Sequence, residues 1–189
     1  MHRSITRWLA LLGLVTAMAL AGTGVASAAQ EAGTFEYHVG DALIQSLGFP
    51  EGNQAMASSN GDRVLVVATG TFTTDGKSAT GGGHFTHFFS GGGSATGTFQ
   101  ATRMISFQSY GNATPQGLPA NLFGGKLVLA VVITPDANPS LHLPATLTVE
   151  CELGNPPSGS VEGIRLNVYD VINFNKTIPE SGANVYIKQ

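Results

Sequence analysis

Cysteine occurs once in these 189 residues, at Cys151, so no internal disulfide can brace the fold and stability has to come from a packed core. The same count excludes a lipid-modified cysteine at the end of an N-terminal leader. Lys and Arg number 9 against 12 Asp and Glu, and no basic patch is present to neutralise phosphates, which argues against nucleic acid as a partner. Beyond residue 29 no apolar stretch approaches the ~20 residues that a membrane-spanning helix needs. Motifs are missing too. There is no G-x-S-x-G elbow, no EF-hand loop, no dinucleotide fingerprint and no G-x-x-x-x-G-K-[ST] loop. The chain reads as cofactor-free.

The first 29 residues read as a secretory signal peptide. Arg3 and Arg7 form a basic start, and Trp8 to Leu20 is an apolar run interrupted only by Gly13 and Thr16. Ala26-Ser27-Ala28 or Ser27-Ala28-Ala29 supplies the cleavage site, so the mature chain is expected outside the cell or on its surface after a cut near Ala28 or Ala29. Removing Arg3 and Arg7 leaves 7 basic residues against 12 acidic, a net charge of −5. The only tryptophan, Trp8, leaves with the signal, which weakens the case for a sugar-binding aromatic platform, although four tyrosines and ten phenylalanines remain. The remaining ~160 residues, from residue 30 to 189, are one domain's worth.

Short β-branched runs between turn signals, without long helical periodicity, point to an all-β domain. Strands are expected at Phe35–Val39, Arg63–Thr73, Lys77–Phe89, Ser94–Phe107, Lys126–Thr134, Ala145–Leu153, Gly163–Phe174 and Asn184–Lys188. Asp75-Gly76 signals a type I′ hairpin in which both residues take positive φ. Asp41 to Leu47, closed by Gly48, reads as one short helix with Asp41 as N-cap. "ATGTF" recurs at Ala68–Phe72 and Ala95–Phe99, as consecutive antiparallel strands with glycines at similar depth would produce. About eight such strands fit a small antiparallel β-barrel built from meander hairpins, with a β-sandwich as the alternative.

Two histidines three apart, in "GGGHFTHFFSGGG", raise the question of a metal site. On a strand, side chains alternate faces, so His84 points with Thr86 while His87 points the other way with Phe85 and Phe89. One ion cannot easily take both, and a turn-strand-turn unit explains the stretch without a metal.

Alternation also locates ionisable residues on greasy faces. Asp170 interrupts the face Ile164, Leu166, Val168, Ile172, Phe174; Arg103 interrupts Phe99, Ala101, Ile105, Phe107; His87 lies between phenylalanines. A buried charge is costly unless paired, so Arg103 is expected to pair with Asp170, with His87 able to join them. The trio reads as a structural ion pair inside the core, as residues turned outward by bulges, or as the polar spot of an interior pocket. In Ala145–Leu153, Leu147, Val149, Cys151 and Leu153 share the inner face, leaving Glu150 and Glu152 as solvent-facing charges. Lys126–Thr134 is apolar on both faces, as a strand covered on both sides would be. Asn112-Ala113-Thr114 and Asn175-Lys176-Thr177 match the N-glycosylation sequon.

In its glycine-rich hairpins the expected barrel is similar in shape to the small secreted barrels of the dirigent and allene oxide cyclase group, and no motif of that group carries over to named residues. Two functional readings follow. In the first, a small, largely apolar ligand sits inside the barrel against His87, Arg103 and Asp170; in a variant, Asp170 and His87 manage protons in an isomerisation or cyclisation. In the second, the protein is an extracellular interaction or structural module, without enzymatic activity, acting through surface loops 110–125 and 134–144.

Overall fold

The computed structural model describes residues 31–189, so the expected signal segment lies outside the described residues. The chain forms β1 (Thr34–Val39), α1 (Ala42–Ser46), β2 (Asn53–Met56), β3 (Arg63–Thr73), β4 (Ala79–Phe88) and β5 (Ser94–Asn112). After a 3-10 turn at Thr114–Gln116 come β6 (Leu122–Pro135), β7 (Leu143–Cys151), β8 (Gly163–Val168), β9 (Ile172–Phe174), β10 (Lys176–Thr177) and β11 (Asn184–Lys188). Every strand pairing is antiparallel. The all-β expectation holds.

The strands make one sheet whose path closes on itself. β3 pairs with β1, β1 with β11 and β11 with β6; β6 pairs with β5, β5 with β4 and β4 with β3. That is a ring of six strands. Along β3 and β6 the partners change: Arg63–Val66 of β3 pair with β2, and Gly125–Ile133 of β6 pair with β7. The far side is bridged by one short segment, whose β9 half bonds β8 while its β10 half bonds β2. The Thr177 hydroxyl adds a bond to the Ile164 carbonyl at 3.0 Å across the same seam.

Inward rows from all sides fill the ring. Phe35, Phe72, Phe107, Phe123 and Tyr186 form a nested aromatic cluster with ring centroids 4.8 to 5.8 Å apart. Leu127, Leu129, Leu147, Val149 and Ile164 continue it as one connected core. On β6 the outward row, Val128, Ala130 and Val132, is only partly exposed, so the strand is apolar on both faces as its sequence reads.

Three local expectations are corrected. At the β3–β4 turn neither Asp75 nor Gly76 takes positive φ; Lys77 does, at 49°, and Thr73 N–H donates to the Ser78 carbonyl at 3.0 Å. A four-residue loop therefore replaces the two-residue turn. Gly163–Phe174 is two strands folded into a hairpin at 169–171, and the long loops are shorter than expected because β5, β6 and β7 extend into them. α1 forms as expected, with Asp41 as its N-cap accepting from the Ile44 N–H.

Candidate functional site

The structure does not gather the three expected pocket residues. Arg103 and Asp170 are exposed, and only His87 faces inward, half-buried. Arg103 turns outward because β5 carries register shifts between Ala101 and Arg103 and again between Met104 and Ser106. Each inserted residue reverses the faces that follow, so Met104 takes the buried place that simple alternation assigns to its neighbours. Asp170 sits at the tip of the β8–β9 hairpin with φ 59°, a conformation that aspartate tolerates better than most residues. Its presence on an apolar face is a turn requirement.

His87 finds a different aspartate. Its Nε2 lies 2.7 Å from Oδ2 of buried Asp62, just before β3. Asp62 Oδ1 accepts the Ser90 N–H at 2.8 Å. That bond, with the His87 contact, holds the Asp62 carboxyl below the usual carboxylate range although burial opposes it. Because an ionised carboxylate can only accept, His87 donates from Nε2. Its ring packs 4.5 Å from Phe89 and 5.1 Å from Phe174. His84 is exposed on the opposite face.

Glu150 is the second departure. It is 2 % exposed rather than solvent-facing. Tyr110 donates to it at 2.7 Å and Arg165 at 3.0 Å, and Lys126 lies 3.3 Å away. Burial lifts the Tyr110 hydroxyl to about 12, keeping it a donor. The four side chains come from β5, β8, β6 and β7 and tie those strands together on their outer face. Cys151, inward as expected, is a buried thiol whose pKa burial pushes well up.

Arg165 then continues into the most distinctive surface of the molecule. On the outer face of β7, β8 and β9, register pairs Thr146 with Asn167 and Asn167 with Asn173; one step along, Thr148 pairs with Arg165. With Tyr169 and Asn175 these residues line a polar cleft of about 460 Å³. Tyr169 reaches across its rim to hydrogen-bond the Thr146 hydroxyl. At Arg165 and Asn175 the cleft meets a larger, mainly apolar one of about 720 Å³, lined by Met56, Val161, Ile178 and Pro179 together with Lys176 and Thr177. Asn175 is anchored there by the Ser58 N–H at 3.1 Å and hydroxyl at 2.7 Å.

Asparagine is depleted in strands, so the Asn167–Asn173 pair was a signal open to sequence reading. It was hidden because Gly163–Phe174 read as one strand, which leaves Asn167 and Asn173 six residues apart instead of side by side. Among the described residues no three His, Cys, Asp or Glu side chains come together as a metal site. No helix there is long and apolar enough to cross a membrane. No family model, curated protein or solved structure matches the chain.

Proposed function

We propose that the protein is a binding module that holds its ligand on the outside of the sheet, in the joined clefts over β7, β8 and β9. The observation that carries this reading is the cleft pair itself: a floor of amides and hydroxyls continuous with an apolar wall, sharing Arg165 and Asn175. That combination of apolar surface and a few placed polar groups is what small-ligand sites require. The packed aromatic interior supports an outer site over an inner one. With the export expected from residues 1–29, the ligand is extracellular.

The test is a set of amide NMR spectra of isotopically labelled mature protein, before and after exposure to concentrated medium from its host. Shifts confined to Thr146–Thr148, Arg165–Asn167 and Asn173–Asn175 are expected. Shifts at Leu127, Leu147 and Phe107 would instead move the site inside, and an unchanged spectrum would sink the binding role.

The interior reading keeps one observation in its favour, the His87–Asp62 pair set between Phe89 and Phe174. In that second reading a small apolar ligand enters at this end and His87 handles its proton. Isomerase or cyclase chemistry would then be lost in His87→Phe while the outer-cleft shifts persisted.

A further inference from the structure

Resting on the outer-face reading, we infer that the cleft takes a neutral carbohydrate chain. Apart from Arg165, the polar floor is built from side chains that carry both a donor and an acceptor: the amides of Asn167, Asn173 and Asn175 and the hydroxyls of Thr146, Thr148 and Tyr169. Of these, Thr146 and Tyr169 bond each other and Asn175 is held by Ser58. A sugar hydroxyl has the same dual character, and a planar amide can bridge two neighbouring hydroxyls. The amides of Asn167 and Asn173 make no hydrogen bond to another side chain or to the backbone among the described residues, so their capacity is free for a ligand.

Charge narrows the class. Arg165 is the only charged residue on the polar floor, and its guanidinium is engaged by buried Glu150 at 3.0 Å. A phosphate or carboxylate held on that floor would call for an uncommitted cation there, whereas the nearest one, exposed Lys176, lies on the adjoining apolar cleft. The shape agrees as well. Adjacent strands lie ~4.8 Å apart, so the row Thr146, Asn167, Asn173 sets out its groups over roughly 10 Å, the reach of an oligosaccharide segment rather than one ring. The apolar wall of Val161, Ile178 and Pro179 supplies a surface for the C–H faces of sugar rings, and the 43 % exposed Tyr169 supplies aromatic surface at the rim.

The outer face of β3 and β4 shows what an unspecialised polar face looks like in the same molecule. Its threonines are strong strand formers and satisfy one another, Thr71 with Thr80 at 2.8 Å and Thr73 with Ser78 at 2.7 Å. The cleft floor shares such a pair, Thr146 with Tyr169, but sets beside it two poor strand formers, Asn167 and Asn173, whose amides are free.

The experiment is calorimetric titration of the mature protein with cello-, chito-, manno- and malto-hexaose, and with oligogalacturonate as the acidic counterpart. Binding of at least one neutral hexaose is expected, weakened at least tenfold in the double variant Asn167→Leu, Asn173→Leu. Leucine at these outward positions preserves the strands, and an unchanged urea midpoint confirms that the variant is folded. No neutral binding, binding of oligogalacturonate alone, or equal affinity in the double variant overturns the carbohydrate assignment. If the host-medium shifts at Thr148 and Asn167 persist in that event, outer-face binding stands and only the ligand class falls; if both are absent, both fall.

Discussion

Gly83 shows how much one hydrogen atom can matter in this sheet. A Cβ there would sit 1.8 Å from the Val67 carbonyl oxygen, and one on Gly82 would sit 2.0 Å from the Phe99 carbonyl oxygen. The glycine run before His84 is therefore a place where β3, β4 and β5 pass too close for side chains. Gly83→Ala should cost about 3 kcal/mol or more, read from the urea midpoint, because the β3 backbone at Val67 and Ala68 must move. Arg103→Leu should leave stability within about 0.5 kcal/mol, as an exposed residue without a partner among the described residues allows. Asp170→Val should cost roughly 1–2 kcal/mol because a β-branched residue resists positive φ, while Asp170→Gly stays near zero. Glu162 carries the pH dependence. Burial lifts its carboxyl to about 7, against the opposing bonds it accepts from the Glu152 and Asn184 N–H groups at 2.8 and 2.7 Å. The folded state thus holds this proton more tightly than the unfolded chain does. Its stabilising effect is complete below about pH 4.5 and is lost as pH rises through about 7. Unfolding free energy should fall by on the order of 2 kcal/mol between pH 5 and pH 8, and Glu162→Gln should flatten that slope. At this scale the sequence revealed which residues break the apolar pattern but not why. His87 breaks it for a partner, Asp170 for a turn, and Arg103 only because a bulge moves it off that face.

Among the elements, the β3–β4 hairpin was the most legible. A turn centred between Asp75 and Gly76 pairs Val64 with His87, the register observed, even though the loop conformation differs. The same register puts Asp62 beside Phe89 and within reach of His87, so this contact was available to anyone who carried the pairing two residues past the strand end. β5 was the least legible. Its three register shifts change which side chains face in, and nothing in a period of two announces an inserted residue. β2 and β10 were missed because strands of four and two residues carry too little pattern to stand out from loops. The outer-face knot at Glu150 makes a prediction at this scale, since its four side chains belong to four different strands. Glu150→Ala would leave the Tyr110 hydroxyl without its acceptor while Lys126 and Arg165 still reach water, and should cost about 1–3 kcal/mol, whereas Tyr110→Phe should cost about 1 kcal/mol. A double-mutant cycle on the pair, followed by urea unfolding, should return a coupling well above the experimental scatter.

For the whole molecule, the decisive feature is that the ring is completed by strands from opposite ends of the sequence. β1 lies between β3 and β11, with Tyr37 opposite Tyr186, and β11 in turn bonds β6 through Tyr186 and Ile187. Residues about 150 positions apart must therefore meet before the aromatic interior is sealed, which places this fold among slow folders of high contact order. Until residues 184–188 dock, β1 and β6 each keep an unsatisfied edge over an exposed cluster of phenylalanines. A chain interrupted before that point is both incomplete and adhesive, open to pairing with its neighbours. Folding is thus a race between closure and self-association, decided by the arrival of five residues. Dilution should favour recovery far more than time does, and a peptide spanning 182–189 added during refolding should slow closure by occupying its own berth.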